Sequence, residues 1–154
     1  MTKAVFLDRD GVLNKELGRY TKHKSEFIVL DHAKKACREL KELGYKLIVI
    51  TNQGGIAKGE YSKEDLRDTH ALLKNEIPEI DAIFHCPHHD LIGKCLCRKP
   101  QSLMLEKAIY LHDVDVEKSF MIGDSLRDVE AANGVGVKGI KIDPNTYWDA
   151  SSFE

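Results

Sequence analysis

Residues 5–14 read VFLDRDGVLN, and this stretch decides the fold. Three apolar residues, Val5, Phe6 and Leu7, stop at Asp8, and a second carboxylate follows at Asp10, then Gly11. A short uninterrupted apolar run reads as a strand buried on both faces, as the strands of a parallel sheet are. Open parallel sheets bind their ligands at the carboxyl ends of the strands. Two acids at such an end are unfavourable unless a cation offsets them. The opening stretch therefore predicts an α/β protein with a charged site at the end of its first strand.

The rest of the chain alternates in the same way. FIVL (27–30) reads as a short extended piece. Asp31 then reads as the cap of a helix with Ala33, Ala36, Cys37, Leu40 and Leu43 on one face, ended by Gly44. KLIVIT (46–51) is a second buried strand. Ser62, with Asp65 three residues on, opens another helix. DAIFHC (81–86) is a third strand, SLMLEKAIYLH (102–112) a helix and SFMIGD (119–124) a fourth strand. LRDVEAAN (126–133) is a helix closed by Gly134, and VKGIKID (137–143) a fifth strand. Strands alternating with helices predict a Rossmann-like three-layer sandwich around a central parallel sheet. The polar residues Asp8, Thr51, Cys86 and Asp124 fall at strand ends.

The 154 residues suit one domain, 1–154. Composition is ordinary, at 42% hydrophobic and 31% charged, and the net charge is −2. That balance gives no pull toward nucleic acid or an anionic membrane, and no basic patch carries interleaved aromatics. No apolar run is long enough to span a bilayer, and the N-terminus meets an acid too early for a secretory signal. The expectation is a cytoplasmic monomer with neither nucleic-acid nor membrane partners. In that compartment the four cysteines are reduced or bind metal.

If the first and fourth strands are neighbours, Asp8, Asp10, Asp124 and Asp128 crowd one spot. Hard oxygen ligands partly open to water suit Mg²⁺. A second cluster lies in FHCPHHDLIGKCLCRKP (84–100), where Cys86, His88, Cys95 and Cys97 form C-x-H-x(6)-C-x-C. Three thiolates and an imidazole match a closed, tetrahedral structural Zn²⁺ site in a loop spanning 85–98, with His89 an alternative to His88. Cys37 reads as core. His85 reads as a strand-end residue facing away, and His23, His32, His70 and His112 as surface or capping residues.

VFLDRDGVLN, VITNQGG, CRKP and MIGDSLRD resemble, in order, the four motifs of the haloacid dehalogenase superfamily of phosphotransferases. The zinc loop directly before Arg98-Lys99-Pro100 is similar to that of the branch holding histidinol-phosphate and heptose bisphosphate phosphatases. This resemblance implies a Mg²⁺-dependent phosphomonoesterase acting through an aspartyl-phosphate on a small phosphorylated metabolite. It implies a sugar phosphate first, D-glycero-D-manno-heptose 1,7-bisphosphate above others, with histidinol phosphate or another small metabolite as the alternative.

By the same resemblance Asp8 is the nucleophile and Asp10 the general acid and base. Thr51 and Lys99 hold the phosphoryl group. Mg²⁺ is bound by Asp8, the backbone carbonyl of Asp10, and Asp124. Asp128 orients Lys99 or a metal-bound water. Asn52, Gln53, Arg98 and Lys58 fall to substrate binding. A module that accepts phosphate without turning over is the competing reading, and Asp10 argues against it. Ser102 and Leu103 stand where close relatives usually carry Pro-Gly, and Ser125 where some carry Lys. No insertion is long enough for a cap domain. Water exclusion is then left to a flap at 16–20, the 52–60 loop and the zinc loop.

Overall fold

Five apolar runs of the sequence become strands in the computed structural model, which describes residues 1–153, while FIVL contributes only an isolated bridge from Val29 to Asn14. The strands are β1 (Ala4–Leu7), β2 (Lys46–Asn52), β3 (Ala82–Cys86), β4 (Phe120–Gly123) and β5 (Lys138–Lys141). The helices are α1 (Asp31–Glu42), α2 (Lys63–Glu76), α3 (Leu103–His112) and α4 (Leu126–Asn133). All strands pair in parallel, in the order β3-β2-β1-β4-β5. The strand order reverses beside β1, so its carboxyl end, where Asp8 stands, is the topological switch point. The neighbour relation between the first and fourth strands is met: Phe6 lies opposite Met121.

β1 is buried on both faces, and its side chains divide between two cores. Val5 and Leu7 pack with Ala33, Ala36, Cys37 and Leu40 of α1, with Leu73 of α2, and with Trp148 and Phe153. Ala4 and Phe6 pack with Met104, Leu105 and Ala108 of α3 and with Ala131 and Ala132 of α4. This period-two division places helices on both faces of the sheet. Fully burying one such Leu or Phe contributes about 1.5–3 kcal/mol.

Two details differ from expectation. Asp31 is the first residue of α1, not its cap. The N-cap is Leu30, without a side-chain cap, and Asp31 acts only as a first-turn acid on the helix dipole. The C-terminal segment is also part of the core. Trp148 is buried, and its indole N–H donates to the Val12 carbonyl at 2.9 Å. Gly44 takes φ +91° just past α1, as the sequence suggests. Among the described residues no helix is long and apolar enough to cross a membrane.

Candidate active site

After β1 the chain must turn sharply, and Gly11 does so at φ +87°. A Cβ there would lie 2.4 Å from Asp124 Oδ2, so the turn and the end of β4 need a bare backbone between them. Asp8 continues the β1–β4 ladder, its N–H donating to Ile122 O at 3.0 Å. Asp124 follows β4. Ser125 then caps α4 in a reciprocal capping box with Asp128, which brings Asp128 back toward the sheet.

Lys99 lies between these acids. It is buried, and its ammonium donates to Asp8 Oδ1 at 3.0 Å, to the Ile50 carbonyl at 2.8 Å, and to Asp128 Oδ1. The backbone around Lys99 is held by Asn52. Lys99 N donates to Asn52 Oδ1 at 2.9 Å, and Asn52 Nδ2 donates to Lys99 O at 3.1 Å. Burial disfavours the lysine's charge, but Asp8 and Asp128 raise its pKa above the ordinary value. Burial pushes the Asp8 carboxyl well up, partly countered by Lys99 and reinforced by Asp128, Asp124 and Asp10. Burial also raises Asp124.

Asp8, Asp124 and Asp128 bring carboxylate oxygens within 4.8 Å of one another. One lysine cannot balance three carboxylates, so the donor set fits a divalent cation as well. Asp128 is the least free of the three. One of its oxygens takes Lys99 and the other takes the Ser125 N–H at 3.1 Å.

Asp10 is surrounded by donors. Its Oδ1 accepts from Arg9 Nη2 at 2.8 Å, Arg9 Nε at 3.3 Å and Asn14 Nδ2 at 2.8 Å. Its Oδ2 accepts from Gln53 Nε2 at 3.2 Å. Burial works against ionisation, yet Arg9, Asn14 and Gln53 together hold Asp10 below the usual carboxylate range. Both carboxylate oxygens of Asp10 are thus engaged.

Asp8, Asp10, Lys99, Asp124 and Asp128 line a cavity of about 760 Å³. Glu16 and Tyr20 of the flap, Gly54, Glu60 and Tyr61 of the 53–61 loop, and His89 and Arg98 of the cysteine loop line it as well. Arg127, from the first turn of α4, also lines it. The sequence reading overlooked Arg127; a cation one turn past a strand-end acid was the available signal.

Several residues assigned to substrate have other partners. Asn52 spends its amide on the Lys99 backbone. Gln53 bonds Asp10, Thr51 Oγ1 at 2.9 Å, and the Tyr61 hydroxyl. Thr51 is buried and outside the cavity lining. Lys58 is outside it too, with its ammonium 5.4 Å from the Tyr20 ring centroid. Arg98 does reach the cavity. It is braced by its Nη1 donating to His88 O at 3.3 Å and by an ion pair with Asp90 at 3.5 Å. His70 is half-buried. It meets Arg9 Nη1 at 3.3 Å, and burial with Arg9 and His85 nearby lowers its pKa to about 3.

The cysteine loop closes on itself. Cys86, His88, Cys95 and Cys97 present ligand atoms within 4.8 Å of one another, and no disulfide forms. Cys86 and Cys95 sulfurs are 3.7 Å apart, close to the roughly 3.8 Å edge of a tetrahedron built on Zn–S bonds of about 2.3 Å. Cys86 and Cys97 are closer, at 2.8 Å. His88 Nδ1 lies 3.3 Å from Cys86 Sγ and 3.2 Å from Cys97 Sγ. His88 rather than His89 completes the cluster; His89 lines the cavity and accepts the Leu91 N–H at its Nδ1. The Arg98 N–H points at Cys95 Sγ from 3.4 Å, a second-layer contact of the kind thiolate metal sites carry.

Comparison with known proteins agrees with this geometry. Residues 96–147 match the "HAD-hyrolase-like" family model. The chain is 42% identical over 148 residues to D-glycero-beta-D-manno-heptose-1,7-bisphosphate 7-phosphatase of Haemophilus influenzae, covering 90% of this chain and 79% of that protein. It is 36% identical over 145 residues to D-glycero-alpha-D-manno-heptose-1,7-bisphosphate 7-phosphatase of Photorhabdus laumondii, covering 88% and 79%. A crystal structure of D,D-heptose 1,7-bisphosphate phosphatase from B. bronchiseptica, complexed with magnesium and phosphate, superposes with a TM-score of 0.83 at 34% identity, covering 89% and 78%. The chain belongs to this heptose bisphosphate phosphatase family of haloacid dehalogenase-like hydrolases and is a phosphoric monoester hydrolase.

Proposed function

We propose that residues 1–154 act as one domain that hydrolyses a phosphate ester of D-glycero-D-manno-heptose 1,7-bisphosphate at the 7-position. One observation carries this reading: Lys99 is buried between Asp8 and Asp128, with Asp124 beside them, in the lining of a cavity far larger than a single phosphate.

An oxygen of Asp8 attacks phosphorus, and the bond from phosphorus to the sugar oxygen breaks. Asp10 enters the step in its protonated form and gives that proton to the departing oxygen, a release that Arg9, Asn14 and Gln53 favour by stabilising the carboxylate left behind. Asp10 then takes a proton from water as the water attacks the aspartyl-phosphate, and inorganic phosphate leaves with Asp8 regenerated. Lys99 neutralises the phosphoryl oxygens, and Asp128 and Asn52 keep it aimed. Mg²⁺, held by Asp8, Asp124 and the Asp10 carbonyl, would screen the repulsion between carboxylate and phosphate. Arg98 and Arg127, which also line the cavity, suit the second phosphate of a bisphosphate.

Zn²⁺ on Cys86, His88, Cys95 and Cys97 would stiffen a loop with little apolar content and so fix Arg98 and Lys99. That role fits a reducing, cytoplasmic setting, a monomer, and a small metabolite as partner rather than nucleic acid or membrane.

The test is phosphate release with Mg²⁺ from both anomers of the heptose bisphosphate, from histidinol phosphate and from a panel of sugar phosphates. A large preference in kcat/KM for one heptose anomer is expected. Preference for histidinol phosphate, or broad weak activity, would refute the heptose assignment.

A further inference from the structure

The two oxygens of Asp10 are not equivalent. Oδ1 takes three N–H donors, two from Arg9 and one from Asn14. Oδ2 takes one, from Gln53. The less occupied oxygen is the one with room for a proton, so Gln53 is the side chain that sets where that proton points. A glutamine amide can be turned either way round. With its carbonyl toward Asp10 it would repel the carboxylate; with its NH₂ there it donates. The orientation is held from the other end, where the Tyr61 hydroxyl donates to Gln53 Oε1.

Tyr61 is itself tightly placed. Its ring packs on the bare backbone of Gly55, where a Cβ would lie 2.3 Å from the ring. It meets the flap edge-on at Tyr20, with centroids 5.9 Å apart. An ion pair from Lys22 to Glu60, at 3.0 Å, ties the same two segments together. Burial pushes the phenol pKa up, so it remains a donor throughout the working pH range.

We propose that Tyr61 is a positioning residue for general acid catalysis: its hydroxyl fixes the Gln53 amide, and the amide aims Oδ2 of Asp10 at the leaving oxygen. This rests on the acid role proposed for Asp10 above. Tyr61 lines the cavity, but its hydroxyl is spent on Gln53 and acts on the acid only through that amide. Its effect must therefore follow how much the leaving group needs a proton. A sugar alkoxide needs one badly, and p-nitrophenolate scarcely does.

The experiment compares kcat/KM of wild type and Tyr61→Phe on the preferred sugar phosphate and on p-nitrophenyl phosphate, with Mg²⁺. kcat/KM is used because it stops at phosphoenzyme formation, before the water step that both substrates share. The phenyl ring keeps the packing on Gly55 and Tyr20. A fall of about tenfold on the sugar phosphate is expected, the worth of one orienting hydrogen bond. On p-nitrophenyl phosphate the change should stay within about twofold. Gln53→Met should show the same selectivity, more strongly. An equal fall on both substrates, or no fall on either, overturns the proposal. Asp10→Asn separates the two ideas. If it leaves sugar phosphate hydrolysis intact, the acid role of Asp10 is wrong. If it abolishes hydrolysis while Tyr61→Phe matches wild type, only the role of Tyr61 is wrong.

Discussion

Asn52 and Lys99 are joined by two reciprocal hydrogen bonds, side-chain amide to backbone at 2.9 and 3.1 Å, across 47 residues of sequence. The end of β2 thereby sets the position of a lysine that lies on a loop.

Asn52→Ala should therefore damage catalysis without touching a catalytic group. Removing both bonds leaves a buried N–H and carbonyl of Lys99 unpaired, at about 1–3 kcal/mol each unless water replaces the amide. A clear drop in melting temperature and a fall in kcat are expected together. Normal kcat in a destabilised variant would show that Lys99 keeps its position without the clamp.

Asp8→Asn should abolish hydrolysis and phosphoenzyme formation, followed by phosphate release and intact-protein mass. The fold should hold. Burial and three neighbouring acids already raise the Asp8 carboxyl, so removing its charge relieves repulsion among Asp10, Asp124 and Asp128. In the absence of metal the variant should melt no lower than wild type, by calorimetry.

Cys95→Ser removes one of four clustered ligands. Bound zinc, read by elemental analysis, should fall below one per chain, and thermal stability should fall with it. Chelation of the wild-type protein should have the same effect. An unchanged metal content and melting point would exclude a structural ion in the 85–98 loop.

His70 predicts a pH effect on stability. Its pKa in the folded protein is about 3, lowered by burial, Arg9 and His85. The unfolded chain binds that proton near the ordinary histidine value of about 6.5. Below that value the unfolded state takes up a proton that the folded state refuses, so stability is lost as pH falls from about 6.5 toward 3. The slope is about 1.4 kcal/mol per pH unit, or roughly 2 kcal/mol by pH 5. Urea midpoints should show this loss in wild type. His70→Gln, which keeps an acceptor for Arg9, should lose most of it.

The fold was legible in this chain because its signals are local. Short apolar runs gave the strands, and Ala33, Ala36, Cys37 and Leu40 gave a helix face that packs as read, although Leu43, read on the same face, caps the helix and is exposed. The cluster of Cys86, His88, Cys95 and Cys97 came from spacing alone. What stayed hidden is carried by non-local pairing. Arg9 looks like a spacer between two acids, yet it is buried and bonds one of them. Gln53 and Asn52 line the cavity, as their motif suggests, but their bonds to Asp10 and Lys99 are not written in it. The roles of Tyr61 and His70 are not written in the local pattern, because their partners are 8 and 61 residues away. A pattern in one sequence records residue types and spacing, not which way an amide or a phenol faces.

The bond from Trp148 to Val12 joins the C-terminal segment to the turn that carries both acids. Asn145 adds to it, donating from its backbone to Gly11 O at 2.9 Å and accepting the Glu16 N–H at 2.7 Å. A ribosome makes the acid-bearing turn first and its brace more than 130 residues later. Through most of translation the turn has nothing to lean on. Chains released early, or clipped before Asn145, lack the brace and should show little phosphatase activity.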